Sequence, residues 1–134
     1  MKLLLDTNVI SDFVRGVESV QQRLRSTAPA DIAVSTVTVM EISFGLARSA
    51  PRARRIAPVV EALLAAVTTL DYGDGDARET GHIRAELELL GRSIGLCDAM
   101  LAGVARSRNL TMVTHNLSEF SRVDGLRVAD WREG

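Results

Sequence analysis

Residues 1–10 read MKLLLDTNVI, in which three consecutive leucines run directly into an aspartate. A continuous apolar run of this length is typical of a strand covered on both faces, and such strands occur in parallel sheets. Glycine, asparagine or serine would turn the chain after the strand without placing a negative charge beside the core. The position of Asp6 therefore needs a functional explanation as well as a structural one.

Strands and helices alternate along the rest of the sequence. Further strands are predicted at 32–34, in LTMVT (110–114) and in LRVAD (126–130), with a strand edge and loop in TTLDYGDGD (68–76). Helices are predicted over 9–14, 17–25, 37–47, 56–67, 77–90 and 97–108, with Asn109 as a C-terminal cap and RSAPRARR (48–55) ending the third of them. This alternation predicts an α/β sandwich with a mainly parallel sheet.

The composition is that of a globular protein, and residues 1–134 are expected to form a single domain. Hydrophobic residues make up 46% of the chain and charged residues 25%, while the net charge of −1 provides no overall basic field for nucleic acid or anionic lipid. Every basic residue except Lys2 is arginine, and the densest group lies between Arg48 and Arg55. Codon composition explains such a bias, and bidentate phosphate contact is the functional alternative.

Cysteine and histidine usage restricts the possible sites. Cys97 is the single cysteine, so an intrachain disulfide is impossible, and together with His82 and His115 it does not make a structural zinc site. The first apolar stretch ends at Asp6 and is too short for a signal peptide, and no stretch reaches transmembrane length. We therefore expect a cytoplasmic protein without a membrane partner.

Three carboxylates are embedded in apolar sequence, where a structural account must explain them. Asp6 ends the first strand, Glu41 stands within TVTVMEISFGLA (36–47), and Asp98 follows IGLC at the start of a helix. Taken singly, each has a structural interpretation. Asp6 can cap a helix, Asp98 can lie in a favourable first turn, and Glu41 can form a capping box with Thr38. A fourth polar group, THNLSEF (114–120), follows the LTMV strand.

Together these residues favour a metal site. Asp6 and the turn after Thr114 lie at the carboxyl ends of strands, where open α/β sheets bind ligands, and helix first turns bring Asp98 and Glu41 to the same edge. Carboxylates that share a pocket repel one another unless a cation neutralises them. Oxygen ligands favour Mg²⁺ or Mn²⁺. Two such ions roughly 3.5–4 Å apart can activate water and stabilise the leaving oxygen in phosphodiester hydrolysis.

Four segments in this order carry a family resemblance. LLLDTNVIS (3–11), STVTVMEISFGLA (35–47), GLCDAMLAGVA (95–105) and LTMVTHNLSEF (110–120) are similar to the four motifs of the PIN-domain ribonucleases. Within that family the chain resembles the VapC-type toxins of bacterial toxin–antitoxin pairs. The resemblance implies a three-layer α/β/α fold, an RNA substrate, a homodimer and a cognate VapB-type antitoxin.

The resemblance also implies roles for individual residues. Asp6, Glu41 and Asp98 are implied as catalytic metal-site residues, with Asp6 and Asp98 ligating Mg²⁺ or, as a substitute, Mn²⁺. Asn8 and Thr114 are implied as polar support.

The fourth motif departs from the pattern of those members that carry an acidic residue directly after the strand and turn. This chain has Asn116 there, and the acidic residue is displaced to Glu119. If a helical turn follows Asn116, residues three apart share a face, and Glu119 can then join the catalytic carboxylates beside a supporting Asn116. A solvated surface glutamate is the alternative, and the site then holds one metal ion firmly.

Other functions fit the sequence less well. Haloacid-dehalogenase-like phosphatases need a second aspartate where this chain has Asn8, and both they and receiver domains use a lysine that a chain with only Lys2 lacks. The acidic spacing of DYGDGD (71–76) does not match an EF-hand. A PIN-like module retained only for binding is the non-enzymatic alternative, and a metal-binding titration separates it from a nuclease.

Overall fold

Five strands form a parallel sheet in the computed structural model, which describes residues 1–133. The strands are β1 (Leu3–Leu5), β2 (Ile32–Ser35), β3 (Thr68–Leu70), β4 (Thr111–Val113) and β5 (Val128–Ala129). They lie in the order β3-β2-β1-β4-β5, and all four neighbouring pairs are parallel. The predicted α/β class with a parallel sheet is confirmed.

Helices cover both faces of the sheet. They are α1 (Thr7–Val14), α2 (Glu18–Ser26), α3 (Thr36–Ala47), α4 (Ala50–Ala66), α5 (Asp74–Leu89), α6 (Leu96–Ser107) and α7 (Leu117–Phe120), with single 3₁₀ turns at Pro29–Asp31 and Trp131–Glu133. Within residues 1–133, none of these helices combines the length and the apolar character that a membrane span requires.

Successive residues of the central strands supply two separate cores. Leu4 and Met112 pack with α5 and α6 on one face of the sheet, and Leu5 and Val113 pack with α1, α2 and α4 on the other. All four of these side chains have no exposed surface. Strands covered on both faces need apolar side chains in both directions, which explains the uninterrupted leucines of β1. With helices on both faces of the sheet, the fold has three layers, α/β/α.

The connections place a topological switch point between β1 and β4. From β1 the chain proceeds outward through β2 and β3, and it then returns to pair β4 on the other side of β1. Helices diverge on either side of such a point and leave a crevice at the carboxyl ends of the two strands. Asp6 follows β1 and Thr114 follows β4, so both side chains lie at this crevice.

Two predicted helix boundaries were wrong. RSAPRARR (48–55) does not merely end α3, because α4 already begins at Ala50. Pro51 lies in the first turn of α4, where a backbone N–H has no partner within the helix and its absence costs no hydrogen bond. α5 begins at Asp74 rather than residue 77, because the Asp76 carboxylate accepts a hydrogen bond from the Gly73 N–H at 2.8 Å and caps the helix. The Asp74–Asp76 segment is therefore helical.

The N-terminal caps of α1 and α3 come from the strand ends. Oδ1 of Asp6 accepts a hydrogen bond from the Thr7 N–H at 2.7 Å, and Oγ of Ser35 accepts one from the Val37 N–H at 3.0 Å. Because Ser35 caps α3, the capping box considered for Thr38 and Glu41 does not form. Glu41 is thus free to interact with another element.

Candidate active site

The hydroxyl of Thr114 joins three polar groups at the ends of β1 and β4. It donates a hydrogen bond to Oδ2 of Asp6 at 2.8 Å and accepts from the Asn116 N–H at 2.9 Å and from Nδ2 of Asn8 at 3.3 Å. Thr114 has no exposed surface, and Asp6 is 5% exposed. A single buried hydroxyl therefore fixes the position of the Asp6 carboxylate and of the turn that follows β4.

Thr7 connects Glu41 to this group. Its hydroxyl donates to Oε1 of Glu41 at 2.6 Å, and its backbone N–H donates to Asp6. Glu41 lies on the second turn of α3, and the apolar residues around it pack α3 against the sheet and α1. Thr7 thus holds together two carboxylates that are 35 residues apart in the sequence.

Asp98 and the segment after β4 form the other side of the site. Asp98 lies in the first turn of α6, and Nδ2 of Asn116 is 3.5 Å from its Oδ2. Asn116 is the N-terminal cap of the short helix α7, and the Glu119 carboxyl from that helix is a hydrogen-bonding neighbour of the Asp98 carboxyl. The structure therefore brings both Asn116 and Glu119 to Asp98.

The carboxyl groups of this site affect one another's ionisation. Burial raises the pKa of Asp6, and the charge of Glu41 adds to the rise, while hydrogen bonds from Thr114 and Thr7 oppose it. Burial, the hydrogen bond with Glu119 and the charges of Asp6 and Glu41 raise the pKa of Asp98 to about 7. In residues 1–133, no arginine or lysine forms an ion pair with these carboxylates. No arginine or lysine side chain therefore offsets their mutual repulsion by direct contact.

The donor set fits a hard divalent cation. Two buried oxygen atoms here have no hydrogen-bond partner, namely Oδ1 of Asn8 and Oε2, one of the two carboxylate oxygens of Glu119. Mg²⁺ and Mn²⁺ prefer oxygen ligands. Across the described part of the chain, no three His, Cys, Asp or Glu side chains are already grouped to hold an ion. The protein would therefore supply one or two carboxylate ligands, and water or phosphate oxygens the rest, as is usual for Mg²⁺.

A buried ion-pair cluster around Asp12 lies next to the site. Asp12 has no exposed surface, and its carboxylate accepts hydrogen bonds from Nε and Nη2 of Arg132 at 2.7 Å each and from Arg15 at 2.5 Å. Nδ1 of His115 is 3.2 Å from the same carboxylate. Arg132 holds the pKa of Asp12 well below its usual range. Because His115 stands between Thr114 and Asn116, this cluster supports the turn after β4.

Sequence reasoning did not identify Thr7 or Asp12 as residues of this region. Asp12 stands within NVISDFV and is as deeply embedded in apolar sequence as Glu41, so the criterion that found Glu41 could have found it. Thr7 directly follows Asp6, but only the packing of α3 against α1 shows that its hydroxyl contacts Glu41. Arg132 is 120 residues from Asp12, and no local pattern predicts that pair.

A cavity of about 120 Å³ lies between α1, α3 and α4, beside Glu41. Its polar wall consists of the side chains of Thr7, Ser11, Glu41 and Arg52, and its remaining wall is mostly apolar. The cavity is continuous with the acidic site through Thr7 and Glu41. Arg52 is therefore the basic side chain that shares a cavity with a carboxylate of the site.

Comparison with known proteins identifies the family of this chain. A PIN domain family model matches residues 3–126. The chain belongs to the PIN-domain family. The resemblance noted in the four acidic motifs and the predicted three-layer fold are thereby confirmed, and the switch-point crevice is the region in which this PIN domain gathers its acidic side chains.

Several PIN-domain relatives match nearly the whole chain. The chain is 39% identical over 131 residues to the tRNA(fMet)-specific endonuclease VapC of Shigella flexneri, with 98% of each protein covered. It is 38% identical over 132 residues to ribonuclease VapC2 of Haemophilus influenzae (strain ATCC 51907 / DSM 11121 / KW20 / Rd), again with 98% of each covered. The crystal structure of DNA-bound VapBC from Salmonella typhimurium contains a chain with a TM-score of 0.90 and 38% identity, with 98% of both chains covered.

Proposed function

We propose that this PIN domain is the toxin of a type II toxin–antitoxin pair and hydrolyses RNA phosphodiester bonds as an endoribonuclease that depends on Mg²⁺ or Mn²⁺. The observation that carries the proposal is the convergence of Asp6, Glu41, Asp98 and Glu119 at the switch point of the sheet. Nuclease activity is also supported by the VapC relatives, which are named as endonuclease and ribonuclease.

Each acidic residue has a place in the proposed reaction. Asp6, at the end of β1, and Asp98, in the first turn of α6, would hold the metal, and Glu41 and Glu119 add negative charge beside them. When bound, Mg²⁺ or Mn²⁺ supplies the Lewis acidity for attack of water on the phosphodiester. A protein nucleophile is not required, and within residues 1–133 no serine, threonine or cysteine is hydrogen-bonded to a histidine.

The neutral polar residues orient the carboxylates. Thr114 fixes one oxygen of Asp6, Thr7 fixes one oxygen of Glu41, and the Asn116 amide lies against Asp98. Such supporting hydrogen bonds set the direction of ligand lone pairs, and their loss commonly reduces activity about 10–100-fold. Asn8 contributes the amide that supports Thr114.

The first experiment measures cleavage of a defined pool of structured RNAs by the purified protein. We expect cleavage in Mg²⁺, no cleavage after treatment with EDTA, and recovery on addition of Mn²⁺. Asp6→Asn should reduce the rate more than about a hundredfold, because a ligand matters more than its supporting residue. In EDTA its melting temperature should equal or exceed that of the wild type, since one buried charge has been removed from among like charges.

Asp124→Asn is the matched control, because it removes the same charge from an exposed position outside the site. It should cleave RNA at the wild-type rate. Undiminished cleavage of RNA in metal-free buffer would refute the proposed mechanism, and unfolding of Asp6→Asn would assign that residue a structural role instead.

The proposed partners follow from the same family. The solved VapBC complexes pair a chain like this one with a second protein. We propose that a VapB-type antitoxin covers the acidic site, with an arginine of the partner inserted among the carboxylates, because bidentate arginine–carboxylate pairs combine charge with geometry. We also propose that the toxin is a homodimer and acts in the cytoplasm, where its proposed RNA substrate occurs.

Co-expression with the adjacent open reading frame tests the antitoxin. We expect growth arrest on induction of the chain alone, rescue by the neighbour, and co-purification of the two proteins. A neighbour that neither binds nor restores growth would count against a toxin. Sedimentation of the purified chain at several concentrations tests the homodimer.

A further inference from the structure

The segment that joins α3 to α4 carries a basic surface that the acidic site does not use. No acidic residue occurs between Glu41 and Glu61, whereas four arginines occur within 48–55. All four are exposed and, among the described residues, none forms an ion pair. We call this group the arginine turn; its members are Arg48, Arg52, Arg54 and Arg55. A protein of net charge −1 thus concentrates unneutralised positive charge at one corner.

An exposed aromatic ring lies between the arginine turn and the acidic site. Glu41 and Phe44 lie on α3, and Arg48 is its C-terminal cap with helical backbone angles. Their spacing of i, i+3 and i+7 places them along one face, roughly 10 Å from first to last. Phe44 is 61% exposed. The guanidinium carbon of Arg48 lies 5.3 Å from the centroid of the Phe44 ring, a cation–π distance.

Arg52 brings the arginine turn to the edge of the acidic site itself. Its side chain lines the cavity that also includes Glu41 and Thr7. Arg52 thus places a positive charge in the same cavity as Glu41, and the neighbouring arginines extend the positive surface along the start of α4. The acidic and basic surfaces are therefore continuous.

We propose that the arginine turn and Phe44 form the surface along which the RNA strand runs beside the acidic site. This inference rests on the proposed nuclease function and specifies where its substrate binds. Guanidinium groups make bidentate contacts with phosphates, and an exposed ring stacks on a base whatever its identity. A second copy of the chain fits this surface poorly, because an isologous contact would set one positively charged surface against its copy.

The test measures binding of a 5′-fluorescein-labelled, 12-nucleotide single-stranded RNA to the full chain in EDTA, by anisotropy, between 50 and 200 mM KCl. Arg52→Gln/Arg55→Gln is compared with Arg23→Gln/Arg25→Gln, which removes the same two charges from exposed positions of α2. The first variant should flatten the slope of log K against log[salt] by about 1.4, because each lost phosphate contact removes about 0.7 for a single strand. The second should leave the slope unchanged.

Phe44→Leu tests the stacking part separately. It should weaken RNA binding about tenfold, the scale of one lost stacked base, without changing the salt slope, because no charge is removed. Circular dichroism of each variant verifies that the fold is intact. Because Phe44 is exposed, we expect Phe44→Leu to fold like the wild type. Equal affinity of Phe44→Leu and the wild type would remove Phe44 from the surface.

The remaining outcomes separate this inference from the proposed function. If the wild type cleaves RNA but both arginine variants keep the wild-type slope, the nuclease function stands and the arginine turn is not its RNA surface. If Arg52→Gln/Arg55→Gln binds RNA normally but no longer binds the antitoxin, the surface belongs to the protein partner. If the wild type neither binds nor cleaves RNA, both proposals fail.

Discussion

The Thr114 hydroxyl makes three hydrogen bonds in the candidate site, to Asp6, Asn8 and the backbone N–H of Asn116. Thr114→Val retains the shape of the side chain but leaves Asp6, Asn8 and the Asn116 N–H without this partner. We expect a loss of about 1–3 kcal/mol in the free energy of unfolding, because buried polar groups would be unsatisfied. The cleavage rate should fall about 10–100-fold. Urea denaturation and cleavage assays measure the two effects.

Thr114→Ser is the matched control for that prediction. It keeps the hydroxyl and removes only a methyl group, so it should recover most of the activity that Thr114→Val loses. Wild-type activity in Thr114→Val would show that the hydroxyl does not position the Asp6 carboxylate.

Glu119 and Asn116 both adjoin Asp98, but they differ in charge. Glu119→Gln should lower cleavage and metal affinity more than Asn116→Ala, because only Glu119 brings negative charge that attracts a cation. Asp6→Asn should reduce cleavage and metal affinity more than either of these variants. Cleavage rates across a Mg²⁺ titration and calorimetric titration with Mn²⁺ measure the order. A Glu119→Gln enzyme with the wild-type rate and metal dependence would leave a three-carboxylate site.

The placement of these residues was largely predictable, because it follows from the ends of elements. Asp6 and Thr114 follow strands of one parallel sheet, and Asp98 lies in a helix first turn at the same edge. The contact between Thr7 and Glu41 was not predictable, because it depends on the distance and rotation of α3 relative to α1. Such packing involves residues far apart in the chain, about which local patterns carry no information.

At the level of elements, α5 and α6 pack closely against each other at Gly103. A Cβ atom added there would collide with the Thr80 hydroxyl and lie 2.9 Å from the Asp76 carbonyl oxygen. Gly103→Ala should therefore push the helices apart and lower the free energy of unfolding by about 1–3 kcal/mol, as overpacking does. Thermal and urea denaturation measure the loss.

Gly81 provides the opposite case within α5. It is exposed, and a Cβ atom there would meet no other atom within 4 Å. Gly81→Ala should raise the free energy of unfolding by about 0.5–1 kcal/mol, because alanine loses less backbone entropy in a helix. Equal stabilities of the Gly103→Ala and Gly81→Ala variants would contradict a tight α5–α6 contact.

The sequence was sufficient for the type and order of the elements but not for all their boundaries. Apolar runs identified β1, β2 and β4 because they are buried on both faces. The start of α4 was not predictable from local composition. Pro51 and the surrounding arginines are typical of a helix end, but proline is also well tolerated in the first turn of a helix. Local composition does not distinguish these two settings.

At the scale of the whole molecule, Asp12 ties distant parts of the chain together. Its carboxylate contacts Arg15 at the end of α1, His115 after β4 and Arg132 in the final 3₁₀ turn. The neighbouring Trp131 is buried in the core that α1 and α2 share. The end of the described chain is therefore anchored against the helix that begins at the acidic site.

This anchor gives the protein a specific acid sensitivity. Arg132 and the other partners lower the pKa of Asp12 below that of an unfolded aspartate, 3.8, so the charged form stabilises the fold above about pH 4. That contribution declines as the pH falls further toward the folded-state pKa. Asp12→Asn should lose about 2 kcal/mol at pH 5, less than a fully buried pair because its arginine partners are half exposed. The stability difference from the wild type, measured by urea denaturation, should narrow by pH 3. Asp74→Asn is the control, because it removes an exposed partner of Arg78, and its free energy of unfolding should differ from that of the wild type by less than about 0.5 kcal/mol at both pH values. If the stability difference between Asp12→Asn and the wild type is the same at pH 5 and pH 3, Asp12 acts through packing rather than charge.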